Sequence, residues 1–178
     1  MELRDAPGWR RLAAFGCDYG VLAGYITLLT AASFAAQRSL GIEVGPPATL
    51  RGRLLGQAMG MLVLTLPTTL YFAWFEAANG ATLGKRALGL RVVAQDGGRV
   101  QFGRSLARSA VKFAPWELAH TMLWHTPGWP TQPTPTSWNW AGFALSLALS
   151  VWYALALFGM SRRTPYDRIA GTRVVLAR

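Results

Sequence analysis

Trp9-Arg10-Arg11-Leu12-Ala13-Ala14-Phe15-Gly16-Cys17-Asp18-Tyr19 opens a run that stays apolar to Ala36 and carries a single charge, Asp18. Two features of this stretch decide the fold. Its length exceeds the about 20 residues that a helix needs to cross a hydrocarbon core, and the aspartate lies about two turns inside it. An ionisable group at that depth is costly, so it either pairs with a cation or serves a function. A secretory leader would explain Arg10 and Arg11 as its basic end and Ser33-Phe34-Ala35 as its cleavage site. The run suits that reading poorly, because the apolar part of a leader is about 7–15 residues long and carries no aspartate.

Working outward, two further runs reach spanning length, residues 54–77 and 138–160. The second span contains Pro67, which removes a backbone donor and frees the Val63 carbonyl, so a kink is expected there. Thr65, Thr68 and Thr69 stand ready to satisfy freed groups. Three spans would put Arg162, Arg163, Arg168, Arg173 and Arg178 on the opposite side from Arg10 and Arg11, against the positive-inside tendency. A weaker fourth span over residues 110–129 removes the conflict. The four-span arrangement leaves only Arg38, Arg51 and Arg53 of the 18 cations outside. Its outer loop, residues 130–137, is uncharged and flanked by Trp124, Trp129, Trp138 and Trp140, as an interfacial belt would be.

Composition agrees: of 178 residues 52% are hydrophobic and 15% charged. The net charge of +10 resembles that of a nucleic-acid binder, but the cations gather between and after apolar runs, as cytoplasmic loops do. No nucleic acid is expected. Contact with the bilayer, and with its anionic head groups, is. Cys17 is the only cysteine, which excludes an intrachain disulfide, and a thiol inside an apolar run reads as a small buried hydrophobe.

The extramembrane residues form one module, about 79–108 plus 162–178. Thr82 is placed to cap a short helix over 83–88 that ends at Gly89. Leu88, Leu90, Val92 and Ala94 alternate, Asp96-Gly97-Gly98 reads as a turn, and Val100 and Phe102 resume the alternation: a β-hairpin signal. Residues 172–176 are β-prone and could add a third strand. The fold class is therefore an all-α polytopic membrane protein, a four-helix transmembrane bundle with a small cytoplasmic β-hairpin or three-stranded module.

Three blocks carry a family resemblance. Trp9 to Phe15 leads to Asp18. Gly80-Ala81-Thr82-Leu83-Gly84-Lys85-Arg86-Ala87-Leu88-Gly89-Leu90-Arg91-Val92-Val93 is followed by Asp96-Gly97 and Arg104-Ser105-Leu106-Ala107-Arg108. Tyr166-Asp167-Arg168-Ile169-Ala170-Gly171-Thr172-Arg173-Val174-Val175 closes the chain. In this order the chain resembles the RDD family of prokaryotic integral membrane proteins. The resemblance implies that the name-giving arginine and two aspartates are Arg11 (or Arg10), Asp18 and Asp167. It singles out Thr82, Gly84, Lys85, Arg86, Gly89 and Arg91 as a cytoplasmic motif. It also implies a prokaryotic inner-membrane location and proteins proposed to transport unknown ligands, some by sodium/proton antiport. Glu117, His120 and His125 are not part of that signature.

Arg11 and Asp18 share one helix face about 10 Å apart, too far for a direct bond. At similar depth the third span offers Glu117, with His120 one turn deeper and Lys112 nearer the cytoplasm. Paired carboxylates beside a histidine could relay a proton or sodium. Neutralised by Lys112 or an arginine, the same groups would only hold helices together, and both readings stay open. Arg11 and Asp167 flank the first and last spans at similar depth and are expected to meet.

Gly80 to Arg86 lacks the spacer, the hydroxyl after lysine and the preceding strand of a phosphate loop. Glu117-x-x-His120 lacks the second copy a di-metal bundle requires. No catalytic triad is recognisable, so neither enzyme activity, metal nor cofactor is expected. The functional expectation is a small transporter, cation or proton coupled through Asp18. The alternative is a non-transporting membrane component that assembles with a partner protein or with copies of itself. Both termini are expected in the cytoplasm.

Overall fold

The least apolar of the four long helices occupies the middle of the structure. The computed structural model describes residues 4–41 and 49–177. In chain order the elements are α1 (Gly8–Leu40), α2 (Leu50–Gly60), a π turn (Met61–Thr65), α3 (Leu66–Asn79), α4 (Leu83–Ala87) and β1 (Leu90–Ala94). There follow α5 (Phe102–Trp124), α6 (Ser137–Ala156), α7 (Pro165–Ile169) and β2 (Thr172–Leu176).

Three of these are long and apolar enough to cross a membrane: α1, α6, and the rod that α2, the π turn and α3 make together. Arg104, Arg108, Lys112 and Glu117 lower the hydropathy of α5. It packs between the rod on one side and α6 on the other, and Ser105, Arg108 and Ser109 are buried there. α5 begins at Phe102 rather than near Ala110, because nothing after its N-cap Gln101 interrupts the helix. The Arg104–Arg108 block thus becomes its first turns. Cys17, expected to be buried, faces outward.

Two prolines lie inside this core, and a tyrosine answers each. Pro67 leaves the Val63 carbonyl without its helical donor, and the π turn just before it absorbs the irregularity. The hydroxyl of Tyr25, from α1, donates to that carbonyl. Thr65, expected to serve this purpose, instead donates to Glu117 at 2.6 Å. Pro115 likewise frees the Val111 carbonyl, which accepts from Tyr153 of α6 at 3.3 Å. Without water each orphaned carbonyl would cost several kcal/mol, so these bonds fix α1 to the rod and α6 to α5.

A basal module closes one end. Gly80 (φ 72°) stops α3, Thr82 caps α4, and β1 pairs antiparallel with β2 with Val92 opposite Val174. The expected hairpin across Asp96-Gly97-Gly98 does not form. Its turn is present, with Gly97 N–H donating to the Ala94 carbonyl at 2.9 Å and Ala94 N–H to that of Gly98 at 3.0 Å. α5 then starts so soon that no return strand fits. Val100 still enters the core, with Ala6, Ala14, Leu90, Val92 and Val174. Residues 172–176 do form a strand, and the place beside β2 is taken by the segment before α1: Asp5 bridges Val175, and Ala6 N–H donates to the Val174 carbonyl at 2.9 Å. Further along, Leu22, Phe72 and Phe113 cluster where α1, α3 and α5 meet.

Candidate functional site: buried charges at the base of the helices

Asp18 is wholly buried where α4 crosses α1. The crossing is close because residue 84 is glycine: a Cβ there would lie 2.1 Å from the Ala14 carbonyl oxygen. Gly84 N–H donates to Asp18 Oδ1 at 2.8 Å, the Thr82 hydroxyl to Oδ2 at 2.6 Å and the Tyr71 hydroxyl to Oδ1 at 3.1 Å. Thr82 accepts from Lys85 N–H at 3.4 Å, so its own hydrogen is free for the aspartate. The carboxylate meets donors only, the pattern an acceptor-only ionised group satisfies. Its partners are neutral.

Asp167 is equally buried and is met by cations. It is the third residue of α7, where it closes a capping box with Thr164, its Oδ2 accepting from the Thr164 hydroxyl at 2.7 Å and N–H at 3.1 Å. Arg11 Nη2 lies 2.5 Å from Oδ2. Arg108 Nε and Nη2 donate to Oδ1 at 3.0 and 2.9 Å. The same guanidinium reaches Glu76 Oε2 at 2.5 Å, and Lys85 Nζ reaches Glu76 Oε1 at 2.9 Å. Burial alone would raise the Asp167 carboxyl; Arg108, then Arg11, then the Thr164 hydroxyl outweigh it and hold it well below the usual carboxylate range. Burial also pushes the Tyr166 hydroxyl up.

The structure thus brings Arg11 and Asp167 together and leaves Arg10 outside the network, half-buried and stacked on Trp9 at 5.3 Å. It does not bring Asp18 to Glu117. Glu117 faces the π turn, accepting from Thr65 and lying 3.9 Å from His120 Nδ1, while Asp18 is enclosed by α4. The shared-proton pair suggested by depth is therefore absent: equal depth fixes height along the helices, not the direction a side chain takes around them. Lys112 meets neither carboxylate. Its ammonium group sits over the Phe72 ring at 3.5 Å and the Phe15 ring at 4.3 Å. Within the motif, Thr82, Gly84 and Lys85 are buried at the site and Gly89 (φ 63°) turns the chain into β1. Arg86 and Arg91 are exposed.

Sequence reasoning missed Glu76 and Arg108, the two residues that join the parts. Signals for both were present. Glu76 is the one charge between Leu54 and Ala77, and Ser105, Arg108, Ser109 and Lys112 recur at the spacing of one helix face.

Beside the network lies a cavity of about 280 Å³ between α1, α5 and α6. Arg11, Lys85, Arg108 and Lys112 are among its lining residues, and no aspartate or glutamate is. Among the described residues no cluster of three or more His, Cys, Asp or Glu side chains could hold a metal ion.

Apolar helices long enough to span, with ionic groups gathered inside one end, define a polytopic helical membrane protein. The chain belongs to the RDD family, whose pattern matches residues 6–171. The match takes in Arg11, Asp18, Glu76, Arg108 and Asp167. No curated protein and no solved structure matches the chain.

Proposed function

We propose that this protein is a small transporter of the prokaryotic cell membrane, with four spans, both termini and the basal module in the cytoplasm, and its ligand path through the cavity between α1, α5 and α6. The observation that carries the reading is the cavity's lining: four cations and no carboxylate. Arg11, Lys85 and Arg108 are paired with Asp167 and Glu76 behind that wall, so Lys112 supplies its uncompensated positive charge, which favours an anion as the transported species. Sodium or proton coupling at Asp18 has less support, since α4 covers that carboxylate and it does not line the cavity. The four-span topology draws on α5 packing lengthwise between the rod and α6, and on Trp138 and Trp140 standing exposed where the uncharged loop enters α6.

The test is flux in pyranine-loaded proteoliposomes under imposed phosphate or sodium gradients. Phosphate-dependent flux that Lys112→Met abolishes and Asp18→Asn retains is the expected result. Sodium-dependent proton flux lost in a folded Asp18→Asn protein would restore cation coupling. Cysteines at Thr134 and Gly97 in a Cys17→Ser background should label from opposite sides; labelling from one side refutes the fourth span.

A second reading, a non-transporting component that assembles with a partner or with its own copies, is favoured by α1. Beyond Leu22 this helix buries no residue. Crosslinks from cysteines placed on that half, together with absent flux, would select it.

A further inference from the structure

The buried charges of the basal end balance, and one additional cation does not. Arg11, Lys85 and Arg108 stand against Asp18, Glu76 and Asp167, every one of them buried. Lys112 is the addition. Only half-buried, it lines the cavity, and among the described residues no carboxylate stands at ion-pair distance from it. The aromatic faces of Phe72, Phe15 and Phe113 hold its ammonium group in place. Cation–π contacts are weak beside the counter-charge that a cation in a low-dielectric setting requires. With Lys112 the basal end carries four cations against three buried carboxylates, and the added positive charge faces the cavity.

The walls say what kind of anion fits. Polar groups on α6 are already spent: Ser146 donates to the Pro115 carbonyl at 2.6 Å, Ser150 to the Ser146 carbonyl at 2.9 Å, and Tyr153 to Val111. Beyond Lys112 the α5 wall is Phe113, Trp116 and Ala119, so the lining turns from ionic to apolar along one direction. α1 and α6 make little contact with each other, and Leu12 and Tyr19 at the rim are exposed, so the gap between them faces the bilayer. A volume of about 280 Å³ is at the lower edge of pockets that enclose a small ligand whole, about 300–1,000 Å³. It suits a head group whose tail remains outside.

We propose that this cavity binds the phosphate-type monoanionic head of an amphiphile at Lys112, with its apolar tail lying in the gap between α1 and α6. The proposal rests on reading the cavity as the ligand site and names what fills it.

The test measures lipid retained by the purified protein, by native mass spectrometry, after exposure to phosphatidylglycerol or phosphatidylcholine of the same acyl chains, or to inorganic phosphate alone. Phosphatidylglycerol should be retained at least about tenfold better than phosphatidylcholine, a difference of about 1.4 kcal/mol. Lys112→Met should remove that preference and Lys112→Arg should keep it. Ala119→Phe, which narrows the cavity and leaves Lys112 in place, should also lower retention. Arg86→Gln, an exposed cation outside the cavity, should change nothing. Equal retention of the two lipids, or a preference that survives Lys112→Met and Ala119→Phe, overturns the proposal. Inorganic phosphate displacing the lipid at equal concentration would make the ligand a soluble anion and remove the amphiphile. Retention needs no turnover, so absent flux with intact retention refutes transport alone, and flux without retention refutes this proposal alone.

Discussion

Asp18 and Asp167 are both wholly buried carboxylates at the base of the same helices, yet they are stabilised in opposite ways. Asp167 is surrounded by charge: two guanidinium groups and a helix cap converge on it, and Glu76 and Lys85 extend the network. Asp18 is surrounded by dipoles: two hydroxyls and one amide. The difference follows from what each must hold. Asp167 ties α1, α5 and α7 through long side chains that can reach across gaps. Asp18 binds α4 where the backbones nearly touch, and at that distance only a hydroxyl or an amide fits. A charge in a membrane protein can thus be paid for by neutralisation or by solvation, and the two schemes predict different sensitivities.

The largest effect should come from the residue serving two carboxylates. Arg108→Ala strands Glu76 and Asp167 together, and removing one side of a buried ion pair costs about 3–5 kcal/mol. Thermal unfolding in detergent should show it as the most damaging substitution in the basal end. A loss no greater than that of Arg11→Ala would mean that the network divides into independent pairs.

Acid sharpens the comparison next. Asp167 titrates below the usual carboxylate range in the folded protein, so its stabilisation is complete above the unfolded value of about 3.9 and is lost as pH falls from there toward the folded one. The melting temperature should be insensitive to this group from pH 8 to about 5 and should drop below about 4. Asp167→Asn should start lower and lose part of that acid-dependent drop. An unchanged acid profile in the variant would show that Asp167 is not the group responsible.

Smaller again is the pairwise term. In a double-mutant cycle Arg11→Ala and Asp167→Ala should be non-additive by about 0.5–3 kcal/mol, the range for residues in direct contact. Arg11→Ala should be the milder single change, because Arg108 still holds the aspartate. Strict additivity would separate the two residues.

How much of this was legible beforehand differs between the two aspartates as well. The meeting of Arg11 with Asp167 follows from hydropathy, which gives depth, and both residues lie at helix ends where depth nearly fixes position. The surroundings of Asp18 do not follow, since depth leaves the direction around a helix open, and Glu117 stands at a similar height facing elsewhere. The strand at residues 172–176 was readable from its β-branched pattern. Its partner was not, because alternation at Val100 and Phe102 reflects one buried valine and a helix start rather than a return strand. The contribution of Arg108 was hidden by its place in a basic block, which looks like solvent-facing charge until the helix is seen to carry Ser105, Arg108, Ser109 and Lys112 inward on one face.

The smallest change, and the one that bears most directly on the comparison, is Asp18→Asn. It keeps the shape and removes the charge. The amide oxygen can still accept from Gly84 N–H and the Tyr71 hydroxyl, whereas the amide nitrogen must face Thr82, whose oxygen already accepts from Lys85. One hydrogen bond is therefore lost or strained and the others lose their charge assistance, a cost of about 1–2 kcal/mol. Thr82→Val, which removes the same hydroxyl from the other side and leaves the carboxylate charged, should cost a similar amount, and the two substitutions together should cost little more than either alone. Were Asp18→Asn instead as damaging as Arg108→Ala, the negative charge itself would be what the site needs. Asp18 would then be the distant counter-charge of Lys112, and the two aspartates would belong to one electrostatic unit rather than two.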